Sequence, residues 1–92
     1  MPFRYKRGID ADYARQIYIY SVSLNYKNLT AAQQKKIRDL CERVGGENSG
    51  ALFDFVTTED SSVAVCMRHN IASRTTLYRL LKDYYEEFPK KF

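Results

Sequence analysis

The sequence predicts an all-α fold: a compact bundle of four to five helices in a single domain over residues 1–92. Three observations carry this expectation. The chain holds only four Gly and two Pro, and Pro2 and Pro89 lie near the two ends, so no proline breaks a helix between them. Apolar residues make up 45% of the chain and charged residues 28%, an ordinary globular balance that supports one core. Several segments repeat apolar residues at i, i+3, i+4 and i+7, the helical period.

Residues 1–8 read as a loose basic arm carrying Arg4, Lys6 and Arg7. The first helix is expected to take Asp10 as its N-cap, with Asp12 in the first turn, where negative charge suits the helix dipole. Ala14, Ile17, Tyr18 and Val22 would form its inner face, and it should end near Asn25. Thr30-Ala31-Ala32-Gln33 matches a capping box, in which the Thr and Gln side chains each satisfy a free backbone donor. Ile37, Leu40, Cys41 and Val44 follow on one face of this second helix, and Gly45-Gly46 stop it. A short third helix, capped by Asn48 or Ser49, carries Leu52, Phe55 and Val56. The same run from Ala51 to Val56 also has strand character. A cap within residues 57–61 opens a fourth helix, expected to turn Val63, Cys66 and Met67 inward. The expected core is Ile17, Ile37, Leu40, Leu52, Phe55, Val63, Ile71, Leu77, Leu80 and Leu81. The tail from Glu86 to Phe92 is expected to fray, with Phe88 the residue able to fold back.

Residues 61–86 carry the most specific pattern and read as a helix-turn-helix. Asn70 is the non-glycine residue type that best tolerates the left-handed backbone such a bend needs. Ile71 would plug the space behind the bend, and Ser73 would cap the last helix. Leu77, Leu80, Leu81 and Tyr84 mark that helix's inner face, which leaves Arg74, Thr75, Tyr78, Arg79 and Lys82 pointing outward. Arginine bonds guanine or phosphate in bidentate fashion, and threonine reaches phosphate or a thymine methyl. No acidic residue occurs between Asp60 and Asp83, whereas Arg68, Arg74, Arg79 and Lys82 are basic. With a net charge of +4 on the whole chain, this gap in the acids points to double-stranded DNA as the partner. Arg74, Thr75, Thr76 and Arg79 are expected at base edges. Arg68 and Lys82 are expected at phosphates, with Tyr78 beside them and Arg4, Lys6 and Arg7 reaching a neighbouring groove.

Ile71-Ala72-Ser73-Arg74-Thr75-Thr76-Leu77-Tyr78-Arg79 resembles the turn and recognition helix of small bacterial helix-turn-helix DNA-binding proteins, of the kind carried by phages and conjugative transposons. Their common form is isoleucine, serine, two variable residues, threonine, leucine, tyrosine, arginine. The stretch from Ile71 to Leu77 is one residue longer than usual, which implies a longer turn, and Asn70 stands where glycine is typical. The resemblance covers the last third of the chain. It implies sequence-specific DNA binding in transcription regulation or in the service of a mobile element.

The other readings are plainer. A helical protein–protein interaction module without DNA binding is the alternative, and it should show an exposed apolar patch. Cys41 and Cys66 are expected as buried thiols. Cys66 and His69 have a ligand-like spacing but lack the four ligands of a structural zinc site, so no metal and no cofactor is expected. No nucleophile, base and orienting acid converge in the sequence, so no enzymatic activity is expected, and no small-molecule ligand is evident. Tyr13 and Tyr20 share a helical face that would suit a homodimer. The N-terminal residues do not form a signal peptide, and no segment has the length of a membrane span, so a cytoplasmic protein is expected.

Overall fold

A computed structural model describes residues 3 and 5–92. The expectations attached to Pro2 and Arg4 lie outside the described residues. Among the described residues five helices follow one another: α1 (Tyr13–Leu24), α2 (Ala31–Gly45), α3 (Ser49–Thr57), α4 (Ser62–Arg68) and α5 (Arg74–Glu87). Single 3-10 turns at Tyr26–Asn28 and Gly46–Asn48 join them. There is no strand among the described residues, so the run from Ala51 to Val56 is helical. The chain is an all-α bundle, and none of its described helices is long and apolar enough to cross a membrane. α2 packs on α3 and α5, α1 packs on α3, and α4 bridges α3 to α5.

The capping box of α2 forms as the sequence implies. Gln33 N–H donates to the Thr30 hydroxyl and Thr30 N–H donates to the Gln33 side chain, both at 3.2 Å. Ile37, Leu40 and Cys41 are buried along its inner face. Gly46 ends the helix with a φ of 55°, a left-handed conformation open to glycine.

α1 departs from expectation. Its N-cap is Asp12, whose carboxylate accepts from Arg15 N–H at 2.8 Å. Asp10 instead donates its backbone N–H to Glu86 at 2.7 Å. The inner face is Gln16, Ile19 and Ser23, while Ile17 is half-buried and Ala14 and Tyr18 are exposed. Gln16 tolerates burial because both ends of its amide are satisfied. Its Nε2 donates to the carbonyls of Lys6 (3.0 Å) and Ala11 (2.9 Å), and its Oε1 accepts from Lys6 N–H at 2.9 Å. The same bonds pin Lys6 to α1, so the described part of the N-terminal segment is docked rather than loose. Ser23 is matched by the buried Tyr84 hydroxyl at 2.7 Å.

Two apolar clusters fill the interior. The larger gathers Ile9, Ile19, Ile37, Leu40, Cys41, Leu52, Val56, Leu81, Tyr84, Tyr85 and Phe88. The smaller joins Ala51, Val65, Cys66 and Leu77, with Phe55 and Ile71 against it. Val63 therefore does not belong to the core. α4 is only seven residues long and turns Val65 and Cys66 inward, which leaves Val63 47% and Met67 75% exposed. The tail does not fray at Phe88. That ring is buried against Tyr84 and Phe92, with centroids 5.7 and 5.0 Å away. Arg15 Nη2 holds the carbonyls of Phe88 and Pro89 at 2.9 and 3.0 Å. Both cysteines are buried free thiols, and burial pushes the Cys41 thiol up to about 12.

Candidate nucleic-acid interface

The two helices of the expected motif are held by local chemistry at each end. Ser61 caps α4, its hydroxyl accepting from Ala64 N–H at 3.1 Å. At the other end Asn70 adopts a φ of 56°, the only non-glycine residue with positive φ among those described. Asn70 N–H reaches the Met67 carbonyl at 3.4 Å and Ile71 N–H the Cys66 carbonyl at 2.8 Å. These are the two bonds of a Schellman motif, with asparagine where glycine is commonest. Ile71 then packs on Val65, Cys66 and Leu77, the apolar contact that accompanies such an ending. Ser73 caps α5, accepting from Thr75 N–H at 3.2 Å.

α5 divides cleanly. Leu77, Leu81 and Tyr84 are buried, whereas Arg74, Thr75, Tyr78, Arg79 and Lys82 are exposed and Thr76 is half-buried. Among the described residues neither Arg74 nor Arg79 has an ion-pair partner. They are the uncommitted charges of this face.

The other expected contact residues are committed elsewhere. Arg68 is paired with Asp54 and, at 2.7 Å, with Asp60. These bonds hold its pKa above the ordinary arginine value, chiefly through Asp60. Its charge is thus largely answered within the protein, unlike the free phosphate contact expected of it. Lys82 is bound to Glu86 at 2.9 Å, which raises the pKa of the lysine. The Glu86 carboxyl is in turn held low, first by the Asp10 N–H and then by Lys82. Tyr78 is 45% exposed, yet its hydroxyl donates to Ser62 at 3.1 Å and its ring meets Phe55 edge-on at 6.1 Å. It ties α5 to α4 and α3 and offers only part of its surface outward.

The acid-free stretch between Asp60 and Asp83 is therefore not acid-free in space. Asp54, Asp60 and Glu86 reach it from outside, and sequence reasoning missed all three. Only Lys82–Glu86, at i and i+4, left a local signal. The Cys66–His69 pair is also split: Cys66 is buried, while His69 Nε2 lies 3.0 Å from Asp54 Oδ2. Lys6 is half-buried, Arg7 is exposed, and Arg4 lies outside the described residues. Tyr13 is 57% exposed, but Tyr20 is covered by Phe3 at a centroid distance of 5.2 Å. The exposed aromatic pair on that side is Tyr13 with Tyr5, at 6.5 Å.

No family model, curated protein or solved structure matches the chain.

Proposed function

We propose that the chain binds double-stranded DNA in a sequence-specific manner through α4, its turn and α5, as a transcriptional regulator or an accessory protein of a mobile element. One observation carries the reading. A left-handed turn at Asn70 joins α4 to a longer helix whose first two turns present Arg74, Thr75 and Arg79 outward, the two arginines with no ion pair among the described residues. In this motif the N-terminal part of the second helix enters the major groove. Arg74, Thr75, Thr76 and Arg79 then face base edges, and Arg7 supplies a backbone contact from outside the motif. Lys82 and Arg68 contribute weakly, because binding a phosphate would compete with Glu86 and with Asp54 and Asp60.

Fluorescence anisotropy with a labelled duplex of roughly 25 base pairs, titrated across salt, tests this. With Arg7 at a phosphate and Arg68 and Lys82 weakly so, the log–log salt slope should lie between about −1 and −3, at about −0.9 per phosphate neutralised. Absence of binding at low salt and tens of micromolar protein, roughly the weak end of non-specific affinity, would remove the reading.

The second reading, a helical protein–protein interaction module, is favoured by the outward Val63 and Met67 on α4. An exposed apolar pair on a helix suits a protein surface better than a phosphate backbone. Self-association through Tyr5 and Tyr13 is compatible with either reading. Sedimentation of wild type against Tyr13→Ser decides it, a monomer in both cases counting against the dimer.

A further inference from the structure

We propose that the cleft between the N-terminal segment, the α3–α4 connection and α5 binds a small aromatic carboxylate. The cleft has a volume of about 370 Å³, and Phe3, Tyr20, Phe55 and Tyr78 give it aromatic walls. That size accommodates a ligand of one or two rings.

Its polar groups fix the chemistry of the ligand. Tyr85 lines the cleft and is almost wholly buried, yet its hydroxyl has no hydrogen-bond partner among the described residues. Its neighbours differ. The Tyr84 hydroxyl is matched to Ser23, and the Tyr78 hydroxyl is matched to Ser62. No buried side-chain polar atom among the described residues lacks a partner, so the unpartnered Tyr85 hydroxyl is the part of that residue that opens to the cleft. Burial holds the Tyr85 phenol well above its ordinary range, so it remains an O–H donor at neutral pH. Lys6 also lines the cleft, and its ammonium has no carboxylate partner among the described residues. Its backbone is fixed by Gln16 on both sides of the peptide, so the side chain starts from a set position.

The acids at the rim are occupied. Asp60 is engaged by Arg68, and Glu59 is not free either. What the cleft leaves unanswered is therefore a neutral donor and a cation beside aromatic surfaces. An anionic acceptor on a flat apolar body satisfies both, and an amine satisfies neither. The proposal stands apart from DNA binding, because it is read on the free protein.

The test is a ¹H–¹⁵N chemical-shift titration of the full chain with phenylacetate, run in parallel with phenethylamine, which has the same skeleton and the opposite charge. Phenylacetate should give saturable shifts at Tyr85, Tyr78 and Ser62. Tyr85→Phe removes only an unpartnered hydroxyl, so the spectrum should remain folded while affinity falls about tenfold, as for a lost charge-assisted hydrogen bond. Lys6→Gln should lower it similarly, and the remote Lys27→Gln should not. The proposal is overturned by non-saturating shifts, by phenethylamine binding as tightly as phenylacetate, or by unchanged affinity in Tyr85→Phe.

Discussion

Asn70 is the residue on which the turn between α4 and α5 depends, and replacing it by alanine and by glycine separates its conformation from its chemistry. With φ at 56°, position 70 sits where a Cβ meets the following carbonyl, at a cost of roughly 1–2 kcal/mol for an ordinary residue. Asparagine recovers part of that cost through its short polar side chain, and glycine avoids it. Asn70→Ala should therefore destabilise the domain by about 1 kcal/mol. Asn70→Gly should match or exceed the wild type, after allowing for the greater freedom glycine has in the unfolded chain. For a domain of this size 1 kcal/mol moves the melting temperature by about 4–8 °C, well within reach of far-ultraviolet circular dichroism. The order should be alanine lowest, with asparagine and glycine above it. If Asn70→Ala melts at or above Asn70→Gly, the residue is not held in the left-handed region and the Schellman ending of α4 is wrong.

Further outcomes follow from other contacts. Tyr84→Phe strands the Ser23 hydroxyl in the core and should cost about 1–3 kcal/mol, read as a lower urea midpoint at constant slope. Adding Ser23→Ala should restore part of the loss, because neither partner is then left unmatched. Stability should hold steady up to about pH 9 and then fall as pH rises towards about 12. Across that interval the unfolded Cys41 thiol has ionised while the folded one keeps its proton, so the unfolded state binds fewer protons. Tyr84 and Tyr85, whose phenols burial also raises, should steepen the fall above about pH 10. Urea midpoints measured across this range for wild type and Cys41→Ala isolate the thiol's share, and an unchanged profile in the variant would refute it. Arg74→Ala and Arg79→Ala should each weaken DNA binding by about 1–3 kcal/mol without changing the melting temperature. Arg68→Ala should alter affinity less than either and should lower the melting temperature instead.

The legible parts of the fold were those written in adjacent residues. The capping box at Thr30 and Gln33, the glycine stop after α2 and the Asn70-Ile71 turn each use partners within a few positions, so their spacing identifies them. α1 was misread in rotation because Ile17, Tyr18, Ile19 and Tyr20 are consecutive and apolar, which leaves the helical period without a preferred face. The deciding contacts were polar and distant: Gln16 against the backbone of Lys6, and Ser23 against Tyr84. In α4 the order Val63, Val65, Cys66, Met67 supports two inner faces, and packing on Leu77 selects Val65 and Cys66. On the proposed DNA face, the exposure of Arg74 and Arg79 followed from α5's periodicity. The pairing of Arg68 did not, since Asp54 and Asp60 come from the preceding helix and loop.

The bonds that tie the first helix to the tail bear on how the domain comes apart. Asp10 meets Glu86 across 76 positions of sequence, and Arg15 meets Phe88 and Pro89 across 73 and 74. Contacts of such long range close late, after the chain between them has ordered, and they are cheap to add once it has. They couple the N-terminal end of α1 to the C-terminal end of α5. Opening the C-terminal end of α5 breaks its bonds to the α1 region, so amide protons near Arg15 and near Glu86 should gain protection together. Whatever docks against α5 therefore meets a surface whose rigidity is supplied from the opposite end of the chain.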